Sequence, residues 1–86
     1  MHVTPTSLRF VGENPLAQTV MITGLTNTQG WSAVATDGIK VGPPASGVND
    51  YPCSINVSTL KVGSSGTVTI SAPSHASVAV KIERAA

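Results

Sequence analysis

Few side chains in this sequence could do chemistry, and they are scattered. The carboxylates are Glu13, Asp37, Asp50 and Glu83. Glycoside hydrolysis needs two carboxyl groups about 5–10 Å apart across a cleft. Only Asp37 and Asp50 flank one segment, the stretch around Ile39 and the loop after it. Both sit among turn residues, where an aspartate side chain bonds its own backbone, and they are read as turn formers. Calcium held by Asp37, Asp50 and loop carbonyls is the remaining use of that pair.

The histidines are His2, at a terminus expected to fray, and His75, in a turn. Ser74-His75 and Ser77 are neighbours in sequence. A nucleophilic triad needs the serine on a strained turn, the imidazole beside it and a third group to orient it. A transition-metal site needs three or four convergent ligands. Gly63-Ser64-Ser65-Gly66 lacks the lysine and the strand-to-helix setting of a phosphate loop. Cys53 stands alone, so no internal disulfide forms, and it is read as a small buried hydrophobe. Asn56-Val57-Ser58 has the form of a glycosylation sequon but falls mid-strand in a chain without a visible secretion signal, and is read as coincidence. No catalytic, cofactor-binding or metal residue is expected, and the chain is read as a non-enzyme.

The elements that would position a binding surface are strands. Trp31, Ala33 and Ala35 alternate with Ser32, Val34 and Thr36, the period of a strand. The lone tryptophan on such a strand is expected to plug a two-sheet core. Around it, strands are predicted over Thr6 to Val11, Ala17 to Thr23, Ile39 to Val41, Tyr51 to Ser58, Thr67 to Ala72 and Ser77 to Glu83. Leu8 and Phe10, Val20 and Ile22, Cys53, Ile55 and Val57, Val68, Ile70 and Ala72, and Val78, Val80 and Ile82 form the inward rows. Gly42 to Asp50, with two prolines and two glycines, is predicted to be the longest irregular loop. Leu25, Leu60 and Val62 are expected to tuck under loops. No segment sustains a 3.6-residue apolar period. The prediction is one all-β domain over residues 1–86, a two-layer antiparallel immunoglobulin-like sandwich of about seven strands, with a small barrel as the alternative.

Composition agrees. Ten Ser, ten Thr and eleven Val exceed a third of the 86 residues, so strand formers dominate and hydroxyls must cover the surface. Charged residues are only 10% and the net charge is +1, which gives no electrostatic case for nucleic acid or an anionic membrane. No run approaches the roughly 18 apolar residues of a membrane span. Of the three aromatics, Phe10 and Trp31 belong to the core, leaving Tyr51 free at the end of the proline loop. One tyrosine makes a poor platform for stacking sugars.

Thr4-Pro5-Thr6-Ser7-Leu8-Arg9-Phe10, then Gln18-Thr19-Val20-Met21-Ile22-Thr23, then Gly30-Trp31-Ser32-Ala33, resembles the opening of bacterial and phage immunoglobulin-like domains, including the BACON family. Gly66-Thr67-Val68-Thr69-Ile70 is similar to their closing strands. The sequence differs from the BACON pattern in having no second tryptophan near Ile39. The resemblance implies a β-sandwich used as a binding, spacer or display module, and carries over no functional residue.

The function expected first is an accessory virion protein, a capsid decoration or fibre-associated subunit. It would dock on a capsid or tail protein by a sheet edge or loops, in several copies on a symmetric particle. Its contact residues are expected to be Pro43, Pro44, Asn49, Asp50 and Tyr51 of the loop, with Arg9 and Lys81 on the first and last strands. Those two and Arg84 are read as charges that blunt or mediate edge pairing. The alternative is a carbohydrate-binding or spacer module of a secreted, cell-surface protein, with weak glycan binding through hydrogen-bonding loops.

Overall fold

The computed structural model describes residues 1–12, 15–25, 30–36, 38–42, 45–48 and 50–85. These are all-β, in nine strands: β1 (His2–Thr4), β2 (Ser7–Val11), β3 (Gln18–Thr23), β4 (Gly30–Ala35), β5 (Lys40–Val41), β6 (Ser46–Val48), β7 (Tyr51–Asn56), β8 (Ser65–Ser71) and β9 (Val78–Ala85). No helix occurs among them, so none is long and apolar enough to cross a membrane. One sheet runs β1-β3-β7-β5 and the other β2-β9-β8-β4-β6.

Two of the nine strands fall where none is predicted. β1 lies in the terminus expected to fray, held by its pairing of Val3 with Ile22. β6 lies in the Gly42 to Asp50 segment predicted to be irregular, where Ser46–Val48 pairs with β4. The chain crosses from one sheet to the other between β1 and β2, where the Thr4–Pro5 bond is cis. β2 then pairs with β9 in parallel, Leu8 beside Ile82 and Phe10 beside Arg84, against the antiparallel expectation. The described pairings are otherwise antiparallel.

The period-2 rows meet in a single buried cluster. Phe10, Val20, Ile22, Trp31, Cys53, Ile55, Val57, Val68, Ile70, Val80 and Ile82 all belong to it. Each such aliphatic side chain contributes roughly 1.5–3 kcal/mol when fully buried. Leu25 and Leu60 are also buried, as expected of loop anchors, whereas Val62 is exposed. Gly66 occupies the inward phase of β8. A Cβ there would run into the Thr36 hydroxyl and the Ile39 side chain.

The sheet edges are short or blunted. β1, β5 and β6 have three, two and three residues. On β2, the Gln18 side-chain amide donates to the Arg9 carbonyl at 2.7 Å, closing the seam between the sheets. On β7, Gly42 N–H bonds the Ser54 carbonyl at 2.8 Å, which sets the phase facing β5. Pro52 shares that phase and offers no N–H there, one way native sheets discourage edge pairing.

Candidate functional site

The expected binding loop is only partly described: Pro43, Pro44 and Asn49 lie outside the described residues. Its described end is tied inward. Asp50 is exposed, but its Oδ1 accepts the Leu25 N–H at 3.0 Å. That bond uses the carboxylate to pin the chain after β3. Tyr51 is not the free ring that was expected. It is half-buried and packs on Trp31 with ring centroids 5.7 Å apart and planes at 40°, a tilted geometry that aromatic quadrupoles favour.

Trp31 is 3% exposed, on an interior strand one place from the β6 edge. Gly47 of β6 lies across the indole, its Cβ position only 3.1 Å from Nε1. That N–H is buried without a hydrogen-bond partner. β6 therefore covers the tryptophan, and a Cβ at position 47 fits only if the ring or the strand gives by a few tenths of an ångström.

The expected cationic contacts separate. Arg9 is exposed on the edge strand β2, and its Nε stands 3.9 Å from Glu83 Oε1. Lys81 is exposed on β9, which lies between β2 and β8 and is not an edge. Arg84 is not an edge charge either. It continues the inward row of Val80 and Ile82, is 7% exposed, and its Nη1 donates to the carbonyls of Val57 and Leu60.

The outer face of the larger sheet carries a feature the sequence reading missed. Ser7, Ser65, Thr67, Lys81 and Glu83, with Gly63 and Gly66, line an open depression of about 600 Å³. The alternate positions Ser65, Thr67, Thr69 and Ser71 of β8 were the signal, since the inward phase of that strand was already assigned. Such a surface can exchange hydrogen bonds with a polar partner.

Glu13 and Asp37 lie outside the described residues, so the Asp37–Asp50 pairing does too. His75 Nδ1 lies 3.0 Å from the Met1 amino nitrogen. His2 is on β1, not in a frayed tail. Among the described residues no three His, Cys, Asp or Glu side chains come together as metal ligands. Asn56 ends β7 rather than lying mid-strand, and its Oδ1 accepts from the Ser58 N–H at 3.2 Å and hydroxyl at 3.1 Å, a local turn. Burial desolvates the Cys53 thiol and pushes its pKa up, which keeps it protonated and poorly nucleophilic.

No family model and no curated protein matches the sequence. Among solved structures, the Bacteroides ovatus GH5 xyloglucanase in complex with a XXXG heptasaccharide is similar to this chain, with a TM-score of 0.80 and 19% identity. The match covers 98% of this chain and 18% of that one, and at this identity the likeness is one of fold.

Proposed function

We propose that this chain is a non-catalytic immunoglobulin-like β-sandwich that serves as an in-line structural module of a larger extracellular or cell-surface protein. One observation carries the reading: the chain enters and leaves at opposite poles. The Met1 amino group sits against His75, in the connection between β8 and β9. Ala85 ends β9, at the far end of a strand that spans about 25 Å. A chain continued on either side would run straight through the sandwich, as a spacer requires.

The strand order supports the immunoglobulin-like assignment. Sheets A-B-E-D and C-F-G of that fold correspond to β1-β3-β7-β5 and to β4-β8-β9. The resemblance to BACON domains points the same way. The fold match to 18% of a xyloglucanase chain offers a precedent for this sandwich as one part of a longer carbohydrate-active protein. The burial of Trp31, with the half-buried Tyr51 ring packed against it, favours a spacer over a sugar-stacking module.

The second reading is an accessory phage virion subunit, favoured by the hydroxyl-lined outer face of the larger sheet. Its docking would use that face, because the edges are short or blunted. Fractionating the source culture on a density gradient, with antibody to this chain, separates the two. A band well above 8.7 kDa in the medium or on cells is the expected result. A band at 8.7 kDa that co-sediments with particles would overturn the module reading and establish the virion one.

A further inference from the structure

The depression on the outer face of the larger sheet has a definite chemical layout. Its floor is the main chain of the paired residues Gly66 and Ile82. On one side stands the row Thr67–Lys81–Ser7, three residues in register on β8, β9 and β2. On the other stands the row Ser65–Glu83–Arg9, in register on the same strands. The two rows are about 7 Å apart, the length of two residues along a strand. The Gly63 end is open, because a Cβ there would meet nothing within 4 Å. Among the described lining residues none is aromatic, so a ligand would be held by hydrogen bonds and charge rather than by stacking.

The charges in the two rows are not equivalent. Glu83 has Arg9 beside it, Nε to Oε1 at 3.9 Å. Lys81 has no carboxylate within ion-pair distance among the described residues. Lys81 and Arg9 against Glu83 therefore leave one positive charge, on the lysine. The Ser7 and Thr67 hydroxyls stand on either side of it and can add two donors, so this row suits an oxyanion. The other row offers a carboxylate and the Ser65 hydroxyl, which accept from and donate to ligand hydroxyls. We propose that the depression binds a hydroxylated carboxylate of uronic acid type. Its carboxylate lies on Lys81, Ser7 and Thr67, and its ring hydroxyls on Ser65 and Glu83. A bare phosphate satisfies only the lysine row, and a neutral sugar only the other. The proposal goes beyond the in-line reading and does not depend on it. For a ligand of roughly a dozen heavy atoms on an open surface, the dissociation constant should be on the order of 1 mM.

The test is a titration of the isotope-labelled chain with galacturonate, read from the amide NMR shifts of Ser65, Thr67, Lys81 and Glu83. Galactose, which has the ring hydroxyls without the carboxylate, and inorganic phosphate, which has the charge without the ring, are titrated in parallel. Galacturonate is expected to give saturable shifts at these residues and to bind at least about tenfold more tightly than either control. Lys81→Gln is expected to weaken it about tenfold, and Lys40→Gln, on the smaller sheet, to leave it unchanged. Both lysines are exposed, so neither variant should disturb the fold. Tighter binding of oligogalacturonate than of the monosaccharide would assign the ligand to an acidic polysaccharide, and equal binding to a free sugar acid. Absence of a saturable shift, or equal binding of galactose or phosphate, would overturn the proposal. So would an unchanged affinity in Lys81→Gln.

Discussion

Arg84 Nη1 donates to the main-chain carbonyl of Val57 at 2.9 Å, joining the last strand to the segment that follows β7. The same nitrogen serves the Leu60 carbonyl, and the Arg84 N–H bonds the Ser64 carbonyl at 3.0 Å. One buried guanidinium therefore holds the crossing from the smaller sheet to the larger one. Burial of this charge is compensated by hydrogen bonds from it, the condition under which a buried ion is tolerated.

Arg84→Leu should leave the Leu60 carbonyl without its guanidinium donor and the Val57 carbonyl with only the Leu60 N–H. A hydrogen bond involving a charged group contributes about 1.5–3 kcal/mol, so the loss should reach roughly 2–5 kcal/mol. In urea the midpoint should fall with the slope unchanged. A variant within about 0.5 kcal/mol of wild type would mean that the 57–64 crossing is held by other contacts.

Gly47 lies against the Trp31 ring, so β6 acts as the cover of the indole. Gly47→Val should push β6 outward and cost about 1–3 kcal/mol, the usual range for overpacking. Trp31 emission should shift to the red as water reaches the ring. Emission that stays put, with an unchanged urea midpoint, would show that the cover lies elsewhere. In the wild type, xyloglucan oligosaccharides should leave Trp31 emission unchanged, because the ring is 3% exposed.

Arg9 and Glu83 form an ion pair whose side chains are 67% and 63% exposed. At 3.9 Å and in contact with solvent, such a pair contributes well under about 1 kcal/mol. Glu83→Gln should therefore move the thermal midpoint by no more than about 2 °C in a domain this small. A larger drop would reveal a role for Glu83 in the adjacent depression.

The rows that build the core were readable because each obeys a strict period of two. Tyr51–Asn56 and Val78–Ala85 place Cys53, Ile55, Val80 and Ile82 inward as the alternation requires. β1 and β6 escaped because three-residue strands hold no period: His2–Thr4 has a single apolar position, and Ser46–Val48 is centred on a glycine chosen for contact with Trp31. Arg84 was misread because its charge outweighed its phase in the β9 row. The parallel β2–β9 pairing follows from the sheet crossing at Pro5, which no residue pattern announces. The hydroxyl row of β8 was visible in the sequence, but the depression it lines depends on neighbouring strands.

Cys53 gives a pH test of the core. Burial raises its thiol pKa above the ordinary value of 9.0, so the folded state holds the proton more tightly than the unfolded chain. The thiol's contribution is fully present below pH 9.0 and is lost as pH climbs from there towards the raised folded value. Cys53→Ala should cost on the order of 1 kcal/mol at neutral pH, for lost transfer energy and a small cavity. Its stability should then fall less steeply above pH 9 than that of the wild type, so the gap between the two narrows as alkali is added. Parallel urea curves at pH 7 and pH 10 would measure this difference. A gap that stays constant with pH would mean that the thiolate is accommodated in the fold, and that position 53 is less sealed than its 0% exposure indicates.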